Sequence, residues 1–164
     1  MSKLITGVFT SRARAEQATD ELIQAGFAPE DVSLLMSEST KGREFAVKTG
    51  TKAPEGAATG AAIGGVLGAV AAGLAAVASL TVPGLALVAA GPLVAALTGL
   101  GAGAATGGLT GALIGLGIPE HEAKFYHKEI EKGGILVGVY THTDRVEAAR
   151  DILNAAGADK VTKG

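Results

Sequence analysis

The chain has 164 residues, with 14 Lys and Arg against 16 Asp and Glu, a net charge of −2 and a pI near 5.9. That length allows one or two small domains. The lack of cysteine excludes disulfides and thiolate metal sites, and with no basic stripe or aromatic-rich face there is no case for nucleic acid. Glycine, at 25 residues, stands far above the usual share of about 7%. The opening MSKLITGVFT lacks the apolar run and cleavage site of a signal peptide, so the flanks are expected in the cytoplasm.

Taken in order, Leu4 to Phe9 reads as a short strand. Thr10 or Ser11 can cap the helix that follows, because a side-chain oxygen satisfies free N–H groups in the first turn. Ala15, Ala18, Leu22 and Ile23 give that helix an apolar face, and Gly26 ends it by taking positive φ. Pro29-Glu30-Asp31 turns the chain into a second strand, Val32 to Met36. Residues 1–37 thus form one β-α-β unit, and 38–55 form a polar linker.

Between Gly56 and Pro119 there is no Asp, Glu, Lys, Arg or His. Small residues recur here every fourth position: Gly56, Gly60, Gly64, Gly68, Ala72 and Ala76, then Ala95, Gly99, Gly103, Gly107, Gly111 and Gly115. Residues four apart share one helix face, so each row draws a strip where another backbone can come close. Pairing Gly56 with Gly115, Gly60 with Gly111, Gly64 with Gly107, Gly68 with Gly103, Ala72 with Gly99 and Ala76 with Ala95 sets small against small. The expectation for 56–118 is an antiparallel helical hairpin. Its arms run Gly56 to Leu80 and Leu93 to Leu116, and its turn falls between Ser79 and Pro92, at Pro83-Gly84 and Gly91-Pro92. At ~1.5 Å per residue the first arm is about 37 Å long, enough for a hydrocarbon core of roughly 30 Å.

Residues 119–164 resume a mixed pattern. Pro119 suits a helix's first turn, Glu120 and Glu122 favour its positive end, and Lys128 and Lys132 its negative end. Ala123, Tyr126 and Ile130 make one face, and Gly133-Gly134 stops the helix. Ile135 to Thr141 is a third strand, Asp144 to Ala156 a helix ended by Gly157, and Lys160 to Thr162 a last strand. This half repeats the first. Gly7-Val8-Phe9-Thr10 matches Gly138-Val139-Tyr140-Thr141, and at the same offset Arg14, Glu16, Ala18, Asp20, Leu22, Ala25 and Gly26 match Arg145, Glu147, Ala149, Asp151, Leu153, Ala156 and Gly157. Two such units predict an α+β fold: a ferredoxin-like split β-α-β head, with the glycine-zipper α-helical hairpin inserted between its halves and projecting from it.

An uncharged surface of this size must be hidden from water, in lipid or against other copies of itself. Lys41, Arg43, Lys48 and Lys52 before the hairpin and Lys124, Lys128 and Lys132 after it, with no charge in the turn, put both ends on the cytoplasmic side of a membrane. Large apolar residues are sparse, however, and a row of glycines longer than one helix crossing needs points to packing between protomers. The partners expected are a second copy of the chain and a lipid membrane. The alternative is a soluble homo-oligomeric cage or filament with the hairpins in a dry interior.

The segments GVFTSRARAEQATDELIQAGFAPEDVSLL and GIPEHEAKFYHKEIEKGGILVGV, flanking a glycine-zipper middle, resemble bacterial general-stress and low-temperature-induced proteins. The resemblance covers most of the chain. It implies a stress-linked cytoplasmic protein associated with the membrane or with itself, and it brings no catalytic residues. The residues themselves agree. His121 and His127, six apart, point about 120° away from each other on a helix, where metal ligands prefer spacings of three or four. Asp20 and Asp151 read as surface charges, Ser11 as a cap, and the Gly-Gly pairs lack the Lys-Ser/Thr of a phosphate loop. No enzyme activity, metal or cofactor is expected. A small-ligand sensor head rests on fold analogy alone.

Overall fold

A computed structural model describes residues 2–37, 78–82, 85–90, 92 and 102–163. The protein is α+β. Its elements are β1 (Ser2–Phe9), α1 (Arg12–Gln24), β2 (Val32–Ser37), β3 (Ala78–Val82), β4 (Leu85–Ala90), α2 (Ala102–Gly115), α3 (Glu120–Glu131), β5 (Ile135–His142), α4 (Val146–Ala155) and β6 (Val161–Lys163). The strands form one antiparallel sheet in the order β3-β4-β2-β5-β1-β6.

The helix boundaries follow local chemistry. Ser11, with extended backbone, accepts from the Arg14 N–H at 3.3 Å and opens α1. Gly26, Gly133 and Gly157 take φ of 87°, 107° and 92° just past α1, α3 and α4, a region that L side chains rarely enter. Pro119 sits one position earlier than expected, at the N-cap of α3 instead of its first turn.

The two halves of the repeat are interlocked. The first strand of each half pairs with that of the other, Ser2 opposite His142 through Phe9 opposite Ile135. The second strand of each half then pairs with the first strand of the other: β2 with β5, and β6 with β1.

Alternation along the strands divides the sheet into two faces. On one, Ile5, Phe9, Val32, Leu34, Met36, Ile135, Val137 and Val139 pack against Ala15, Ala18 and Leu22 of α1 and Ala149 and Leu153 of α4. On the other, Val8, Leu35 and Leu136 pack against Leu109, Ala112 and Leu113 of α2 and Ala123, Tyr126 and Ile130 of α3.

The central segment departs from the expected hairpin where it can be followed. Gly56, Gly60, Gly64, Gly68, Ala72, Ala76, Ala95 and Gly99 lie outside the described residues, as does the 38–55 linker. Ala78 to Leu80, read as the end of a helical arm, and the residues read as its turn form β3 and β4, with Val82 opposite Leu85. β4 continues the sheet, Leu34 to Ser37 pairing with Ala90 to Leu87. The reason is twofold. Leu80-Thr81-Val82 and Leu85 to Val88 hold β-formers around Pro83-Gly84, and the outer edge of β2 offers backbone groups that need partners. The second arm is helical in α2, but Gly108 breaks it with φ 60° and ψ −150°. Beyond that break α2 packs on the sheet through Leu109, Ala112 and Leu113 instead of projecting from it.

Candidate functional site

Three places in the described residues combine polar chemistry or bare surface with a defined position. The first is the outer side of α2. Leu109, Ala112 and Leu113, spaced three and four apart, turn into the core, which rotates Gly111, Ile114 and Gly115 outward. Gly115 is exposed, Gly111 is half-buried, and Ile114 at 42% is the one large hydrophobic side chain exposed among the described residues. Gly103 and Gly107 precede the break at Gly108, so the row from Gly103 to Gly115 is not one continuous helical stripe.

The second place is the Tyr126 hydroxyl, buried where α3 meets the sheet edge. It lies 2.8 Å from Thr162 Oγ1 and 3.1 Å from the carbonyl oxygens of both Thr6 and Lys160, with Thr6 Oγ1 at 3.4 Å. A phenol has one proton, so it donates to one of these acceptors at a time. Thr6 and Thr162 face each other across β1 and β6, and the tyrosine therefore ties a three-residue edge strand to the helix layer. Burial pushes the Tyr126 hydroxyl above its ordinary pKa, opposed by its hydrogen bonds to Thr162 and Thr6, with Glu122 nearby adding to the rise. Ala123, Tyr126 and Ile130 share the buried face the sequence assigns them.

The third is a cleft of about 180 Å³ between the end of α1, the start of β2 and the end of β5. Arg145 forms one wall. Its Nη2 donates to the Ala25 carbonyl at 2.6 Å and its Nη1 to that of Gly26 at 3.1 Å, and the guanidinium stacks 4.1 Å from the Phe27 ring centre. The C-terminal carbonyls of α1 are capped in this way by the other half of the repeat. Arg14 occupies the matching position: a Cβ on Gly157 would come within 3.3 Å of its Nη1. The paired Arg14/Arg145 and Gly26/Gly157 of the repeat are thus two crossed contacts, a meaning sequence spacing alone does not give. Asp31, Tyr140 and His142 complete the cleft, and burial raises the Tyr140 hydroxyl above its ordinary pKa.

The histidines do not converge. His127 contacts Thr110 Oγ1 at 2.9 Å through Nδ1 and Glu131 at 3.2 Å through Nε2, joining α2 to α3. His121 is 3.8 Å from Glu122, and His142 lies on the cleft. Among the described residues no three His, Cys, Asp or Glu side chains are grouped to hold a metal ion, and no helix is long and apolar enough to cross a membrane. No protein family, no curated protein and no solved structure matches the chain.

Proposed function

We propose that this is a non-enzymatic structural protein that associates with itself, and with a lipid membrane, through its Gly/Ala-rich segment 56–118. In this reading strands β2, β5, β1 and β6 with α1 and α4 form a ferredoxin-like split β-α-β head, the segment is inserted between its halves, and both ends stay on the cytoplasmic side. The stress link comes from the family resemblance alone. The observation that carries self-association is the outer side of α2. Leu109 and Leu113 bury one side of the helix, leaving Ile114 exposed beside the bare backbone of Gly111 and Gly115. A bare helix backbone gains dispersion contacts when a second helix approaches closely.

A soluble assembly is the second reading. It is favoured by the way α2 beyond Gly108 packs on the protein's own sheet through Leu109, Ala112 and Leu113. Two experiments separate the outcomes. Leu substituted at Gly111 and Gly115 is expected to shrink the particle seen by light scattering in mild detergent; an unchanged particle removes the self-association reading. Carbonate washing of cell membranes is expected to leave the protein in the pellet, released only by detergent. Large particles in a detergent-free soluble fraction would replace the membrane reading with the assembly.

A further inference from the structure

We propose that the cleft between α1 and β5 binds a small zwitterion of the free α-amino-acid class. Three observations converge on it. The first is the state of its side chains. Elsewhere on the surface several charged groups are taken up by neighbours, among them Arg12 with Glu16, Lys124 with Glu120 and Lys132 with Glu129. The side chains of Asp31, Tyr140 and His142 make no hydrogen bond or ion pair with another described residue, yet all three border the same cleft.

The second is where the internal repeat breaks down. Its placement is kept, Arg14 lying beside Gly157 as Arg145 lies beside Gly26, although only Arg145 donates hydrogen bonds to the helix end it meets. The lining is not kept. At the repeat offset Tyr140 replaces Phe9, His142 replaces Ser11, and Phe27 stands where the other half has Ala158. Phe9 is wholly buried, whereas Tyr140 is half-buried and His142 exposed. Phe27 is itself part of the core, but a frame needed only to hold helix to sheet would not require a half-buried phenol and an exposed imidazole at the other two positions.

The third is the charge pattern. Arg145 and His142 offer donors for a carboxylate, and Asp31 an acceptor for an ammonium group, around a volume of about 180 Å³. A divalent cation would face the Arg145 guanidinium. A polyphosphate would face Asp31 and the carbonyl end of α1, where Ala25 and Gly26 already engage the arginine. A ligand carrying both signs on adjacent atoms matches both walls, and the half-buried Tyr140 ring provides apolar surface for a side chain.

The test is calorimetric titration of the full chain, in mild detergent where needed, with the twenty free amino acids, each paired with its N-acetyl and C-amide derivative. At least one free amino acid is expected to bind, with both derivatives weakened about tenfold or more by loss of a charge-assisted hydrogen bond. Asp31→Asn and His142→Ala, both on the cleft rim, are expected to weaken the free form by a similar factor while melting like the parent protein. Absence of heat with every amino acid up to about 10 mM, a range that includes weak millimolar sites, overturns the proposal. Equal binding of the amide also overturns it, in favour of a peptide amino terminus. Binding untouched by both substitutions places the ligand elsewhere and overturns it too.

Discussion

The two faces of the sheet are built on different terms. Under α1 and α4 the inward-pointing strand residues are mostly apolar, from Ile5 and Phe9 to Val137 and Val139, with Thr141 a buried exception at the end of β5. Under α2 and α3 the strands contribute Val8, Leu35 and Leu136 to the apolar cluster, while Thr6, Ser33 and Ser37 are buried among the strand residues of alternate register. Such hydroxyls cost free energy in an apolar layer unless bonded, and Tyr126 serves Thr6 in that way. The first face is an ordinary apolar core. The second is a covering whose fit depends on particular polar partners and on a helix interrupted at Gly108. A layer of this kind is the place where part of a fold can open while the rest stays closed.

The sharpest test compares one deep leucine from each face. Leu22→Ala and Leu113→Ala both remove fully buried side chains, and each is expected to cost about 2–5 kcal/mol. Hydrogen exchange distinguishes them. Leu22→Ala should lower protection across the whole sheet, whereas Leu113→Ala should release α2 and α3 first; equal loss everywhere would mean the faces are one cooperative unit. Next in size is Gly134→Ala. Its Cβ would stand 2.7 Å from the Glu129 carbonyl oxygen and 3.2 Å from Val8, wedging α3 away from β1, with an expected loss of about 1–3 kcal/mol in urea unfolding. Tyr126→Phe keeps the ring and strands Thr162 and Thr6. A loss of about 1–2 kcal/mol is expected, with faster amide exchange confined to Val161–Lys163.

The smallest effect is one of pH. The folded protein holds the Tyr126 proton more tightly than the unfolded chain does. Its contribution is therefore whole below the ordinary value of 10.0 and is lost as pH climbs through the raised one. Melting temperature should fall above about pH 10, and less steeply in Tyr126→Phe, if the second face is held as described.

What could be read from the chain was what is decided locally. Ser11, Gly26, Gly133 and Gly157 mark helix ends because a cap or a positive φ needs only its neighbours. The face Ala123, Tyr126 and Ile130 follows from spacing alone. β3 and β4 were not legible, because Leu, Val and Ala without charges carry no period that separates strand from helix, and the open edge of β2 that recruits them is a tertiary fact. In α2 two periods overlap in the same residues. The glycine row draws attention, yet Leu109, Ala112 and Leu113 set which side faces the sheet. At the cleft, the repeat pointed to Arg14 and Arg145 as equivalents but could not reveal that each lies against the other half's helix end, or that only Arg145 bonds to it.

That exchange has a corollary for any attempt to divide the molecule. Because β2 finds its ladder on β5, β6 on β1, and the last turn of α1 its guanidinium on a residue more than a hundred positions away, neither β-α-β segment owns a finished hydrogen-bond set. Expressed singly, each would be sticky and unstructured; mixed, the two would reconstitute by complementation. A single half could complete its ladders only against a second half placed in the same crossed way.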